Sequence, residues 1–204
     1  MRLTLLRHTR AAVPPNWCYG QSDVALAAGA SADIDRCVQQ LGSSDGLTNK
    51  LGRAIPIYSS LSSRCAVLAA SVRAAQAMIS PALEITHDPR WLELNFGAWE
   101  NRPWSDIPRH ESQPWTDDPL RCCPPGGESG LALIERVRLA LADLLMSGEE
   151  HAIVVTHAGP IRAVRLICEQ RDLQTFFEPQ VAHATPYEVA VTASALLQAR
   201  GWAP

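Results

Sequence analysis

The chain has 204 residues, 47% hydrophobic and 19% charged, a composition typical of a globular protein that buries a sizeable core. A formal net charge of -3 at pH 7 argues against a nucleic-acid partner, which would require a basic surface. No apolar run approaches the roughly 20 residues that cross a bilayer and no signal-peptide pattern begins the chain, so we expect a cytoplasmic protein that binds no membrane.

The first half of the chain alternates strand-like and helix-like segments. Residues 2–7 form an apolar run that predicts a buried strand, and a long loop with Pro14-Pro15 and Gly20 follows over 11–27. The pattern then predicts a helix over 29–41, a polar loop over 43–53, a strand over 55–58, a helix over 62–79 and a strand over 83–86. Because proline cannot donate to a sheet, Pro56 places the second strand at an edge or marks its start.

Residues 88–128 are rich in tryptophan and proline and predict a cap of loops and short helices inserted into a single domain that spans 1–204. After the cap, the pattern predicts a helix over 129–147, a strand over 152–156, a helix beginning near Pro160 and a last strand over 187–196. Alternating strands and helices favour a three-layer α/β/α sandwich around a mostly parallel sheet.

The six cysteines show neither a C-x-x-C motif nor a paired zinc spacing, so we expect no metal and no cofactor. Cys65 and Cys168 lie in apolar helical runs and are expected to be buried thiols. Cys122 and Cys123 are adjacent, so a vicinal disulfide or a metal role is an alternative. Free thiols are favoured because a reducing cytosol opposes disulfides.

A histidine follows each of two apolar strands, His8 after residues 2–7 and His157 after residues 152–156. Parallel strands end at the same edge of a sheet, where ligands bind, so we expect the two histidines to face each other. Arg7 beside His8 adds a group that holds two phosphoryl oxygens at once. A neutral imidazole attacks phosphorus directly, so this set predicts phosphoryl transfer through a histidine. Taken alone, His8 would instead favour a surface or core histidine, and Arg7 an ordinary surface charge.

Arg64 lies in the first turn of a predicted helix, after Ser59 and Ser60, which are expected to end a strand and cap that helix. A helix start with an arginine is suited to an anion, and the alternative is a capped helix with a solvated arginine. Glu93 lies among apolar and aromatic residues and is the candidate proton donor. Its rival, Glu100, is more consistent with a solvated or capping residue.

These motifs resemble the histidine phosphatase superfamily, also called phosphoglycerate mutase-like. The matching stretches are Arg7-His8-Thr9, Ser59-Ser60 with Arg64, Glu93 before Phe96-Gly97-Ala98-Trp99-Glu100, and His157 at a late strand end. The resemblance implies that His8 is the phosphorylated nucleophile, that Arg7, Arg64 and His157 bind the phosphate, and that Glu93 is the proton donor.

Within that superfamily the chain is most similar to the alpha-ribazole phosphatases of cobalamin biosynthesis, on the stretches Val13–Val24, Glu93–Trp104 and Pro125–Ser129. Thr9, Asn101 and Leu61-Ser62 depart from the usual superfamily pattern. The expected partner is a small-molecule phosphomonoester. A phosphoglycerate mutase, a broad-specificity small-molecule phosphatase and a non-catalytic phosphate-binding module are the alternatives. Trp17, Tyr19 and Trp91 either fill the core or line a site that stacks on a flat substrate.

Overall fold

The computed structural model describes residues 1–43, 46–178 and 180–202. Its central sheet has five strands in the order β4-β3-β6-β1-β7. These strands are β1 (Arg2–Arg7), β3 (Ile57–Ser59), β4 (Ile85–His87), β6 (His151–Thr156) and β7 (Pro186–Ala190), while β2 (Trp17–Cys18) and β5 (Arg102–Pro103) pair separately. Only β7 runs antiparallel to its neighbour, β1, so the sheet is mostly parallel as predicted.

The strands β6 and β1 lie inside the sheet and are largely apolar on both faces, because helices cover both sides of the sheet. Leu3 and Leu5 of β1 face one core, against α4 (Gly130–Met146), α5 (Ala158–Cys168) and α6 (Ala193–Gln198). Leu6 faces the other core, against α1 (Ala30–Ser43) and α2 (Ser63–Ala75). This arrangement confirms the predicted three-layer sandwich.

The pairing register of β1 and β6 positions the two histidines that follow them. Arg7 pairs with Thr156 at the ends of these parallel strands, and His8 N donates to the Thr156 carbonyl over 2.9 Å. His8 and His157 therefore leave the sheet side by side, at the edge where ligands of α/β folds bind.

Helix boundaries follow the predictions closely where periodicity is strong. The helices predicted over 29–41 and 129–147 are α1 and α4, each displaced by no more than two residues at an end. The polar loop predicted over 43–53 lies partly outside the described residues, at 44 and 45. Within the part of the chain that is described, no helix has both the length and the apolarity to cross a bilayer.

Several boundaries differ from the predictions, among them that of the strand predicted over 83–86, which is β4, Ile85–His87. The helix predicted over 62–79 ends at Ala75, because the buried Gln76 leaves the helix and its amide donates to the Leu47 and Ile55 carbonyls over 2.7 and 3.2 Å. The strand beginning after Pro56 lies inside the sheet, so Pro56 marks a strand start and the edge alternative is wrong. The last predicted strand, 187–196, stops at Ala190, because Thr192 Oγ1 accepts from Ala195 N and begins α6.

The segment over 88–128 consists of loops and short helices, as predicted. It contains 3-10 helices at Pro89–Trp91, Gly97–Trp99 and Trp104–Asp106, the strand β5, and α3 (Arg109–Asp117). Trp99 is fully buried, and Trp104 stacks on Trp115 with ring centroids 5.8 Å apart. The pairing of β5 with β2 connects this segment to the 11–27 loop, so the two segments form one wall above the strand ends.

Candidate active site

His8 is held in a form suited to nucleophilic attack. Its Nδ1 lies 2.6 Å from the Thr9 carbonyl oxygen, which only accepts, so Nδ1 carries the ring proton and Nε2 keeps its lone pair. The side chain is buried, and this burial, with the nearby Arg64 and Arg7, lowers the pKa of His8 to about 3. His8 is therefore a neutral imidazole with an unprotonated Nε2 at ordinary pH.

His157 lies next to His8, with the two ring centroids 5.0 Å apart. It is fully buried, and burial followed by the proximity of His8 and Arg64 holds its pKa well below the usual value. Its Nε2 lies 2.9 Å from Ser60 Oγ, whereas Nδ1 is buried with no hydrogen-bond partner among the residues that the structure describes. The sequence prediction that these two histidines meet is confirmed.

Arg7 and Arg64 bring positive charge to the same place. Arg7 Nη1 donates to the Val181 carbonyl over 2.7 Å, and Arg64 donates through Nη1 to Ser22 and through Nη2 to Gly20. Both Nε atoms are buried without a partner among the described residues. Burial lowers the pKa of Arg7, but a guanidinium stays protonated in proteins. These contacts fix both guanidinium groups and leave N–H donors for an anion.

Glu93 reaches the site from the segment over the strand ends. Its Oε1 accepts from Leu94 N over 2.9 Å and from Gly159 N over 3.0 Å, which attaches the carboxylate to the first turn of α5. Oε2 lies farther from Gly159 N, at 3.3 Å, and is therefore the oxygen better able to carry a proton. The predicted proton donor, Glu93, and the histidine His8 therefore line the same cavity.

Glu100 is half-buried rather than solvated, and it caps the end of the 3-10 helix Gly97–Trp99, so of the two sequence alternatives the capping one is confirmed. Its Oε1 accepts from Gln21 N and Phe96 N, and its Oε2 accepts from both the backbone and the hydroxyl of Ser22. Burial alone would raise its pKa, but these hydrogen bonds outweigh burial and lower it. Glu100 therefore holds the loop that contains Gly20 and Ser22, whose carbonyls accept from Arg64, so it fixes the position of Arg64 indirectly.

The serines before Arg64 have a different role from the predicted helix capping. Ser62 is the residue that precedes α2, and its side chain makes no capping hydrogen bond. Ser59 Oγ donates to the Ser60 carbonyl over 2.9 Å, and Ser60 Oγ contacts His157. Arg64 does lie in the first turn of α2 and is 1% exposed, so the solvated-arginine alternative is wrong.

These groups line a cavity of about 360 Å³ whose lining contains both ionisable and aromatic side chains. The ionisable residues are Arg7, His8, Arg64, Glu93 and Arg162, and the aromatic ones are Tyr19, Phe96, Trp104, Phe176 and Phe177. Of the three aromatic residues considered from sequence, Tyr19 lines the cavity, Trp91 is fully buried in the core, and Trp17 lies in β2 and is not among the lining residues. The cationic groups suit a phosphate, and the aromatic groups suit an apolar or flat leaving group.

Sequence reasoning missed Arg162 and His183. Arg162 lies four residues after Ala158 on the same face of α5, so helical spacing from the strand end could have identified it. His183 Nδ1 lies 2.8 Å from the His8 carbonyl, and the rings of the two histidines are 5.2 Å apart. His183 lies in a loop far along the chain, where no local pattern indicates its position.

Comparison with known proteins identifies a family that covers most of the chain. A model of the histidine phosphatase superfamily (branch 1) matches residues 3–199. The bifunctional protein Rv2228c of Mycobacterium tuberculosis and the uncharacterized protein Mb2253c of Mycobacterium bovis are each 32% identical over 128 residues. That match covers 61% of this chain but only 34% of each relative, so the chain spans about a third of their length.

Solved structures share the fold along nearly the whole chain. Bacillus stearothermophilus YhfR has a TM-score of 0.77 at 21% identity, covering 94% of this chain and 92% of its own. The alpha-ribazole phosphatase from Shigella flexneri has a TM-score of 0.76 at 18% identity, covering 95% and 92%. The mycobacterial glucosyl-3-phosphoglycerate phosphatase Rv2419c has a TM-score of 0.76 at 20% identity, covering 96% and 93%.

Proposed function

Because this chain belongs to branch 1 of the histidine phosphatase superfamily, we propose that it hydrolyses small-molecule phosphomonoesters through a phosphohistidine formed at His8. One observation carries the proposal. His8 is a neutral imidazole whose Nδ1–H is bound to the Thr9 carbonyl and whose Nε2 is left as a nucleophile among cationic groups. A histidine with a purely structural role would not need two guanidinium groups around it whose buried Nε atoms have no hydrogen-bond partner among the described residues.

In the proposed reaction, His8 Nε2 forms a bond to phosphorus as the ester P–O bond breaks. Arg7, Arg64 and His157 stabilise the charge on the equatorial oxygens, and Glu93 gives its proton to the leaving oxygen. Glu93 then accepts a proton from water, which attacks phosphorus. The N–P bond breaks, inorganic phosphate leaves, and neutral His8 is restored.

For the substrate, we propose alpha-ribazole 5′-phosphate, converted in the cytoplasm. The aromatic residues of the cavity lining support a leaving group with a flat ring system, because stacked rings gain roughly 1 kcal/mol for each well-placed pair. An alpha-ribazole phosphatase is among the proteins of similar fold, and the loop containing Tyr19 carries the sequence resemblance. At such low identity the fold alone does not choose the substrate.

Arg162 favours a second candidate, an ester with another anionic group, such as a phosphoglycerate. It adds a cation beyond the groups assigned to the reacting phosphate, as a substrate with a second anionic group requires. One of the similar folds is a glucosyl-3-phosphoglycerate phosphatase. The aromatic side chains outnumber this one cation, so the alpha-ribazole ester remains the preferred substrate.

The chemistry is tested by rapid quench with a labelled phosphomonoester. We expect an acid-labile, base-stable phosphoenzyme in the wild type, and turnover reduced on the order of 10³-fold or more in His8→Ala, because the covalent route is lost. His110→Ala, at an exposed position, is the control and should react normally. Near-normal turnover by His8→Ala would overturn the proposal, whereas a wild type that binds phosphate without any turnover would favour a phosphate-binding module. Because arginines supply the positive charge, activity should also survive exhaustive chelation.

The substrate is tested by direct competition between alpha-ribazole 5′-phosphate and 3-phosphoglycerate, with products identified by mass. We expect a wide margin in kcat/KM for the first ester and negligible isomerisation of the second. Phe177→Ala should lower kcat/KM for the base-bearing ester more than for phosphoglycerate, because only the former stacks. A preference for phosphoglycerate, or its conversion to the 2-isomer, would overturn the substrate and leave the histidine chemistry intact.

A further inference from the structure

We propose that the Ser60 hydroxyl fixes the tautomer of His157, so that Nδ1–H of His157 becomes the donor to a phosphoryl oxygen. Ser60 is then a positioning residue, which acts on the phosphate only through His157. The inference rests on the proposed function for its consequence in catalysis. The tautomer itself is a property of the free protein, and it is measured without substrate.

The hydrogen-bond directions around Ser60 determine where its proton goes. Ser62 N lies 3.4 Å from Ser60 Oγ and can only donate to it, which uses one of the two acceptor lone pairs of the hydroxyl. The hydroxyl has one proton to donate, and among its described hydrogen bonds His157 Nε2, 2.9 Å from the same oxygen, is the group able to accept it. His157 is neutral because burial holds its pKa well below the usual value, and a neutral imidazole carries one N–H. With Nε2 accepting, the ring proton belongs on Nδ1.

Cys65 is the other group near this nitrogen, and it does not change the assignment. Its Sγ lies 3.5 Å from His157 Nε2 and 3.4 Å from the Thr156 carbonyl oxygen, which only accepts. Burial raises the pKa of Cys65, so the sulfur stays a thiol whose proton points to that carbonyl. A thiol sulfur is a weak acceptor, so it gives Nε2 little reason to carry the proton.

With the assigned tautomer, His157 Nδ1 carries a proton that it can donate to a bound phosphoryl oxygen. His157 Nδ1 is buried with no hydrogen-bond partner in the described part of the chain, and an orphaned buried N–H is costly. A phosphoryl oxygen held between His157 and His8, whose rings are 5.0 Å apart, would accept from it. The opposite tautomer would present a lone pair to that anion and would repel it.

Ser60 is itself rigidly held. It is fully buried, and its backbone N–H donates to the Val155 carbonyl over 2.9 Å, which continues the pairing between β3 and β6. Ser59 supplies a matched control, because it is equally buried and its hydroxyl donates to the Ser60 carbonyl without contacting a histidine in any described hydrogen bond. Replacing either serine by alanine removes one buried hydroxyl from the same strand end.

The test is long-range ¹⁵N–¹H NMR of the histidine rings in the free protein, with His157 assigned by its loss in His157→Gln. We expect an Nδ1–H tautomer in the wild type and in Ser59→Ala, and a shift towards Nε2–H in Ser60→Ala. Ser60→Ala should also lower kcat and vanadate affinity on the order of tenfold to a hundredfold, the range of an outer hydrogen-bond partner. Ser59→Ala should change them little.

Two results would overturn the proposal: an Nε2–H tautomer in the wild type, or an Nδ1–H tautomer that persists in Ser60→Ala. The wild-type spectrum decides even where Ser60→Ala does not fold. A wild-type protein that forms no phosphoenzyme would instead overturn the proposed function, while the tautomer assignment would stand.

Discussion

At the scale of single residues, we predict that the loss of turnover on replacing Glu93 increases with the basicity of the leaving group. Glu93→Gln should lower turnover of an alkyl phosphate by ~10²–10⁴-fold, because the alkoxide no longer receives a proton. The loss should be much smaller for an aryl phosphate, whose leaving group departs unprotonated. Steady-state rates on the two ester types measure this difference.

Glu100→Gln is the matched control for that experiment. Glu100 binds the backbone of Gln21 and Ser22, and Ser22 in turn accepts from Arg64. Its replacement should weaken phosphate binding and raise KM equally for alkyl and aryl esters. Equal losses on both ester types in Glu93→Gln would mean that Glu93 has a structural role.

Residues that follow strands could be located from sequence, whereas residues that act through space could not. His8 and His157 were predictable because parallel strands carry the residues after them to one edge. Arg64 and Glu93 were candidates from a predicted helix start and from apolar neighbours, each with a structural alternative, and the resemblance supplied their expected roles. The hydrogen bond between Ser60 and His157 joins distant segments, so local propensity assigns Ser60 to a cap instead.

At the scale of elements, the first turn of α5 has to come unusually close to Glu93. A Cβ added at Gly159 would lie 2.2 Å from Glu93 Oε1, well inside contact distance. Gly159→Ala should therefore displace the carboxylate, lowering alkyl phosphate turnover far more than aryl phosphate turnover. Activity assays on the two esters, with circular dichroism to verify folding, measure this effect.

Gly42 in α1 is the control glycine, because the nearest heavy atom to an added Cβ there is 3.9 Å away. Gly42→Ala should leave the kinetics unchanged and stabilise the protein by up to ~1 kcal/mol, since alanine is the better helix former. A Gly159→Ala enzyme with normal turnover of both esters would contradict the close-packing argument.

Elements with strong periodicity were predictable, and elements bounded by single hydrogen bonds were not. α1 and α4 follow their apolar spacing almost to the residue. The ends of α2 and β7 depend instead on where the side chains of Gln76 and Thr192 find their partners. Those partners are set by tertiary contacts or by one local cap, neither of which alters the apolar pattern.

At the scale of the whole molecule, three buried histidines and the half-buried His183 couple folding to pH. Burial lowers the pKa of His8 to about 3, that of His151 to about 4, that of His157 well below its usual value, and also that of His183. In the unfolded chain each titrates near ~6.5, so below that pH the unfolded state binds more protons than the native state. The free energy of unfolding should therefore fall as pH drops from ~6.5 towards ~4, by at most ~5 kcal/mol per pH unit.

Urea unfolding across that pH range measures the effect. His151→Gln should reduce the slope by roughly a quarter to a third, because one of the four histidines whose pKa is lowered in the native state is removed. His110→Gln should leave it unchanged, since the His110 side chain is 83% exposed. A free energy of unfolding that stays level through this range would show that these histidines are protonated in the native state.

The pairing of β1 with β6 also has a kinetic consequence. It pairs residues 149 positions apart, such as Arg2 with His151, and non-local contacts form late because the entropy of closing a long loop opposes them. Helices such as α4 form from local contacts and need no such closure. During refolding, the ability to bind vanadate should therefore return with the slowest phase, after helical circular dichroism has recovered. The two histidines exist as a pair only once that last contact is made.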